Sequence, residues 1–251
     1  MKAVEITRLG TGQADFLRRM ADGLDVLIRF HDREMDHAVL SDLRSHNVAE
    51  GLFELLISDD GQTAVQALIA ALQDLGTAPD DATLDDLAAE FADLYLTHGY
   101  RVSPSGSVWL TEDKLERQMP MFEVRDWYEH YGITVPNWRI RADDHLVHEL
   151  QFVSFLCRRA DAVAAQDAGR FMDLHLLPWV PEFCRRAAEQ VHQPLYGAVM
   201  QLTIAYLVDL RQSLEGISGQ PQQVREVRGL GTSREPEPET VPYVPGVAES
   251  W

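Results

Sequence analysis

The chain has 251 residues, 45% hydrophobic and 25% charged, with a net charge of −18 and a pI near 4.8. That length supports a full hydrophobic core. A surface this acidic repels nucleic-acid phosphates and anionic lipid headgroups, which argues against both as partners and favours a basic ligand or peptide.

Helical periodicity organises the chain from its start. Between Asp15 and Phe30, the residues Phe16, Met20, Leu24, Leu27 and Ile28 share one face at amphipathic spacing. Further helices are predicted from Val48 to Ile57, carrying Leu52, Phe53, Leu55 and Leu56, and from Thr63 to Leu75, carrying Val65, Leu68, Ile69 and Leu72. Thr83, with Asp86 three residues on, predicts the cap of a helix bearing Leu84, Leu87, Phe91, Leu94 and Tyr95. No Lys or Arg occurs from Ser45 to Tyr100, whereas Glu50, Glu54, Asp59, Asp60, Asp74, Asp80, Asp81, Asp85, Asp86, Glu90 and Asp93 are all acidic. Such a run is most simply a solvated helical face; the sharper reading is a field that steers a cationic partner.

The pattern breaks at Thr97–Val108, THGYRVSPSGSV, whose glycines, proline and serines predict a loop or hinge. An aromatic-rich helix follows from Glu123 to Tyr131, stopped by Gly132 and Pro136. The next is predicted from Asp144 to about Ala165, with Asp143 or Asp144 as its cap and Leu146, Leu150, Val153 and Leu156 as its buried stripe. Phe171–Gln190 must kink or restart at Pro178 and Pro181. Leu195–Leu214 is apolar nearly all round, which predicts a central buried helix. No stretch alternates with a period of two, so the expected class is all-α, a single multi-helix domain over residues 1–215. Residues 216–251, rich in Pro and Glu, are expected to form a disordered or polyproline-like tail.

Compartment follows from what is missing. Cys157 and Cys184 have no metal-like spacing, no apolar leader follows Lys2, and no apolar run reaches the roughly 18 residues a membrane span requires. The expectation is a reduced cytoplasmic protein without stable membrane insertion.

The titratable cluster His145, His148 and Glu149 lies on the first two turns of the predicted Asp144 helix, where one ion could touch all three. Its H-x-x-H-E order is not the zinc-protease H-E-x-x-H, and a cap-and-salt-bridge reading is at least as economical. A metal- or nucleotide-dependent enzyme built on this cluster is the alternative function. There is no G-x-S-x-G elbow, the cysteines sit in apolar surroundings, and GlyLeuGlyThr at 229–232 lacks the phosphate-loop lysine. No catalytic residue and no cofactor are therefore expected. Trp109, Trp127, Tyr128, Tyr131 and Trp138 crowd into one segment, either as core or as the aromatic floor of a peptide groove with an acidic rim.

Taken in order, FADLYLTHGY, PSGSVWLTED, MPMFEVRDWYEHYGI, RADDHLVHELQFVSFL, LLPWVPEF and PLYGAVMQL resemble the successive motifs of the TorD/DmsD family of redox-enzyme maturation chaperones, relatives of the NarJ-type proteins. The resemblance spans roughly residues 15–212; Ala142 stands where the family usually has proline, and Ser105-Gly106 where it often has an aromatic. It implies an all-α fold without turnover. The implied partner is the apo catalytic subunit of a molybdenum-cofactor oxidoreductase, with its twin-arginine signal peptide, held for cofactor insertion before export. By motif position, Ser107, Val108 and Trp109 in the loop and Asp144, His145 and Glu149 on the helix would line the client groove, with Trp127 and Tyr128 as supporting aromatics. A monomer or a homodimer fits the resemblance.

Overall fold

The computed structural model of the protein describes residues 8–97 and 99–227. The expectations placed on the amino terminus and on residues 229–232 fall outside them, as does the rest of the tail beyond residue 227. Among the described residues the chain forms α1 (Thr11–Asp32), α2 (His37–Ser45), α3 (Val48–Leu55), α4 (Asp59–Asp74), α5 (Asp81–Tyr95), α6 (Gly106–Leu110), α7 (Met119–His130), α8 (Leu146–Arg159), α9 (Ala162–Phe171), a π-helical turn (Met172–Leu176), α10 (Val180–Ala188) and α11 (Pro194–Ser218). Helices account for the secondary structure except for one isolated bridge, so the all-α class is observed.

Several predicted boundaries move, each for a local reason. Helix α5 is capped by Asp80, whose carboxylate accepts the Thr83 N–H at 2.9 Å, so Thr83 is the third helical residue and not the cap. Helix α4 starts at Asp59, ahead of the expected Thr63, because the Ser58 hydroxyl accepts the Gly61 N–H. The single helix expected from Asp144 to Ala165 is two helices: Ala160 turns left-handed at φ 49°, and the Asp161 side chain caps α9 through the Ala164 N–H at 2.8 Å. A short helix, α6, begins within the end of the expected Thr97–Val108 loop and runs to Leu110. At the other end, α11 runs to Ser218, closed by Gly219 at φ 68°, and the chain continues as an exposed extended strap to Val227. The expected tail therefore begins with a segment held against the domain.

Helix α11 is the axis of the core. It packs on α4, α9, α10 and α1, while α1 lies along α8. Its length invites comparison with a membrane span, but among the described residues no helix is long and apolar enough to cross one. The buried Asp209 and Arg211 fall inside it. Contact between α1 and α11 is made possible by Gly23: a Cβ there would lie 2.3 Å from the Tyr206 hydroxyl, which donates to the Met20 carbonyl at 2.6 Å. One turn further along, a buried polar chain ties three helices. The Thr203 hydroxyl donates to the Val199 carbonyl, so it accepts from His31 Nε2 at 2.8 Å, which leaves His31 Nδ1 to accept from the Tyr95 hydroxyl at 2.6 Å. Burial lowers the His31 pKa to about 3, so this ring is neutral.

The acidic run of α3–α5 is not uniformly a solvated face. Glu90 is buried and accepts the His192 and Gln193 N–H groups at 2.5 and 2.7 Å, at the start of α11, where a carboxylate suits the helix dipole. The Tyr100 hydroxyl also donates to it at 2.9 Å.

Candidate functional site

The loop before α6 and the segment before α8 meet as two short extended strands. Ser105 and His145 form an antiparallel bridge, with Gly106 N–H on the Asp144 carbonyl and Leu146 N–H on the Pro104 carbonyl, each at 2.8 Å. Asp144 then reaches across to α6: its Oδ2 accepts the Ser107 N–H at 2.6 Å, capping a helix whose own Ser105 supplies no side-chain bond. Ser107 in turn uses its hydroxyl oxygen to accept the Gln118 N–H at the head of α7. One aspartate thus sets the loop, and the loop sets the next helix. Gly106 lets the loop approach closely: a Cβ there would lie 3.2 Å from Trp179 Nε1 and 3.5 Å from Glu149 Oε1.

Burial shifts the titratable groups of α8 and its cap segment toward their neutral forms. Glu149 is wholly buried; its Oε2 accepts the Trp179 indole N–H at 3.3 Å and its Oε1 has no partner. Desolvation, reinforced by the neighbouring Asp144 carboxyl, raises the Glu149 pKa well above the carboxylate range, and desolvation also raises that of Asp144. Burial holds the His145 and His148 pKa values below the ordinary imidazole value. Neither Asp143 nor Asp144 caps α8, contrary to expectation. That role falls to His145, whose Nδ1 accepts the Val147 N–H at 3.1 Å, while His148 Nδ1 donates to the Ala142 carbonyl at 2.8 Å.

This arrangement does not bring the three side chains together as ligands for one ion. His145 spends its Nδ1 on its own helix, His148 points to a backbone carbonyl, and Glu149 turns inward to Trp179. Among the described residues no group of three or more His, Cys, Asp or Glu side chains converges as a metal site. Cys157 and Cys184 are buried, and burial pushes the Cys157 thiol up to about 12.

The aromatics divide by position. Trp109 donates its indole N–H to the Ser103 carbonyl at 2.7 Å, packs edge-on against Phe183 and is covered by the Arg186 guanidinium at 5.2 Å. Tyr128 is buried, with its hydroxyl on the Asp143 carbonyl at 3.0 Å. Trp127 is half-buried, edge-on to Phe152, Phe171 and His175. Trp138 is exposed and shares the Arg125 guanidinium with Phe122, while Arg125 grips Asp143 at 2.8 and 3.3 Å. Of the residues assigned to the groove, Ser107, Trp109, Tyr128, Asp144, His145 and Glu149 are buried, and Val108 and Trp127 are half-buried. They come together as the inside of a wall.

What stands in front of that wall is a cleft of about 230 Å³ between the end of α5, the loop and the segment before α8. Its lining is mixed: Tyr95, Leu96, Pro104, Ile140 and Ala142 supply apolar surface, and Ser105, Glu116, Arg117, Arg141 and His145 supply polar surface. Leu96 and Ile140, 65% and 79% exposed, put two large apolar side chains on the lip of the cleft. Sequence reasoning missed Leu96, Ile140, Trp179 and the Arg125–Asp143 pair. Trp179 lies in LLPWVPEF, thirty residues beyond Glu149, and no spacing rule connects them; the exposed apolar pair gave no periodic signal.

With this geometry in place, known proteins supply context. A family model described as the nitrate reductase delta subunit matches residues 58–185. The chain is 30% identical over 185 residues to the "Chaperone protein TorD" of Vibrio vulnificus strain CMCP6, covering 69% of this chain and 84% of that protein. It is 29% identical over 183 residues, with the same coverage, to the protein of that name from strain YJ016. It is 27% identical over 161 residues to that from Psychrobacter sp. strain PRwf-1, covering 61% and 72%. These relatives carry the name of a chaperone, not of an enzyme. The matched region contains the loop, α6, α7 and the wall of α8, and the chain belongs to the TorD/NarJ-related family of chaperones.

Proposed function

We propose that the protein is a cytoplasmic, system-specific chaperone that binds the apo catalytic subunit of a molybdenum-cofactor oxidoreductase, together with its twin-arginine signal peptide. It would hold this client for cofactor insertion before export. The observation that carries the reading is the cleft beside His145, part apolar and part polar, with the exposed Leu96 and Ile140 on its lip, built over a wall of buried side chains bonded mostly within the protein. Such a surface binds; it offers no nucleophile and no free general base.

In this reading the buried residues act from behind. Asp144 and Ser107 fix the loop, Glu149 and Trp179 back it, Trp109 and Tyr128 hold its flanks, and His145 and Val108 reach the client side. An apolar segment of the client would lie in the cleft, and the net charge of −18 would speed the approach of a basic peptide. At physiological salt the Debye length is about 8 Å, so only carboxylates near the bound peptide would affect affinity.

Isothermal titration with the signal peptide of a molybdoenzyme encoded beside the gene, and co-purification of its apo subunit, test this. Binding should weaken about tenfold in Ile140→Asp, with the melting temperature unchanged, because Ile140 contributes to the lip and not to the core. If neither signal peptide nor apo subunit binds, and deleting the gene leaves the reductase active, the proposal is wrong.

A further inference from the structure

Asp173 lies in the π-helical turn, where the Leu177 N–H bonds back to the Met172 carbonyl at 2.8 Å. The next bond of that pattern would run from residue 178 to the Asp173 carbonyl, but residue 178 is proline and has no N–H. The carbonyl is left for a donor from outside the helix. The Arg225 N–H of the strap supplies it at 2.8 Å. Two residues earlier, the Gln223 N–H donates to Asp173 Oδ2, also at 2.8 Å. In an extended chain the N–H groups of alternate residues face the same side. Asp173 therefore presents a carbonyl and a carboxylate at the spacing of one extended segment. The Arg225 guanidinium meets Glu123 of α7 at 2.8 Å, and nearer α11 the Gln222 N–H donates to Glu215 at 3.2 Å while the Gln220 carbonyl accepts from Arg211 at 3.4 Å.

The strap is held lightly. Residues 221–226 are exposed, and the Arg225–Glu123 pair is open to solvent on both sides, where an ion pair adds little. Its grip is almost wholly backbone plus one arginine, which is how an edge binds an extended peptide of variable sequence. We infer that the Asp173–Glu123 edge is a docking site for an extended, arginine-bearing peptide, and that residues 219–227 occupy it in cis until a client peptide displaces them. This rests on the chaperone reading and refines it. The client's arginine is assigned to this edge, and not to the cleft beside His145, whose sides already carry Arg117 and Arg141. A competitor in cis lowers the client's apparent affinity by the fraction of molecules in which the edge is free.

The test is fluorescence anisotropy on the full chain with a labelled synthetic twin-arginine signal peptide, and with the same peptide carrying glutamine for both arginines. Gln223→Pro removes the N–H that meets the Asp173 carboxylate, and Arg225→Glu sets like charges against Glu123. Each should bind the twin-arginine peptide about three- to tenfold more tightly than the unaltered chain. The glutamine peptide should show no gain, and adding Glu123→Gln to Gln223→Pro should abolish it. Unchanged affinity in both variants, or an equal gain for the glutamine peptide, overturns the inference while leaving the chaperone reading intact. If no version binds the peptide yet the unaltered chain still captures apo subunit, the docking edge is refuted alone; if capture fails too, both readings fall.

Discussion

Asp173 and Glu149 are buried in one core and treated in opposite ways. Asp173 meets the Arg211 guanidinium through two bonds at 2.8 and 2.9 Å and accepts the Gln223 N–H as well, joining the π-helical turn to α11 and to the strap. Glu149 meets no cation. It has the Trp179 indole, an oxygen without a partner, and a neighbouring carboxyl, and desolvation raises its pKa. The first carboxylate fastens elements together by charge; the second accepts the indole N–H behind the loop without a cation. Behind the loop, Glu149 is held by shape and a hydrogen bond, whereas Asp173 is held by an ion pair.

The sharpest way to break this contrast is Arg211→Ala, which leaves Asp173 buried without its cation. Urea denaturation should show a loss of about 3–5 kcal/mol; a loss under about 1 kcal/mol would mean the pair fastens nothing. Next in size is the acid response. The folded pKa of His31, about 3, lies below the ordinary imidazole value of 6.5, so its contribution to stability is complete above pH 6.5 and is lost as pH falls toward 3. Between pH 6.5 and 4.5 that amounts to roughly 2–3 kcal/mol. His31→Gln, which can still bond Tyr95 and Thr203, should flatten the slope in pH-dependent melting, and an unchanged slope would remove His31 from the account.

Smaller effects probe the wall itself. Gly106→Ala presses a methyl against the Trp179 indole at 3.2 Å and should cost about 1–2 kcal/mol, with a shift in tryptophan fluorescence. No shift would mean that the loop does not lean on Trp179. Smallest of all is Glu149→Gln, which keeps an acceptor for the indole. Below about pH 4.5, where Glu149 is protonated whether folded or unfolded, it should alter stability by less than about 1 kcal/mol. The folded pKa of Glu149 is raised, so its favourable contribution is full below about pH 4.5, its ordinary value, and declines as pH rises; the glutamine variant should lack that decline. A loss as large as that of Arg211→Ala would erase the distinction between the two carboxylates.

The helices with a wide apolar stripe were legible in the sequence: α1, α4, α5, α8 and α11 lie where their leucines repeat. Helix α2 was missed because it buries only Leu40 and Leu43, too few to show a period. Caps were read one to three residues off at Asp80 and His145, since Ser, Thr, Asp and His side chains cluster there and only the fold selects one. The break at Ala160 gave no warning, because a left-handed alanine is not a turn signal. The motifs located the wall, but which face of it turns inward depends on Trp179 and Arg125, contributed by other helices. The strap was hidden because its partner is a carbonyl freed by a distant proline.

The central place of α11 also dictates when the molecule can be born. Every helix from α4 onward that it touches precedes it on the ribosome, as does α1, and α1 and α11 are joined through Tyr206 and the His31 chain. During synthesis the earlier helices emerge with their apolar faces uncovered until the final helix arrives, so folding is late and rests on long-range contacts. A chaperone of this build must itself pass through an exposed, unfinished state.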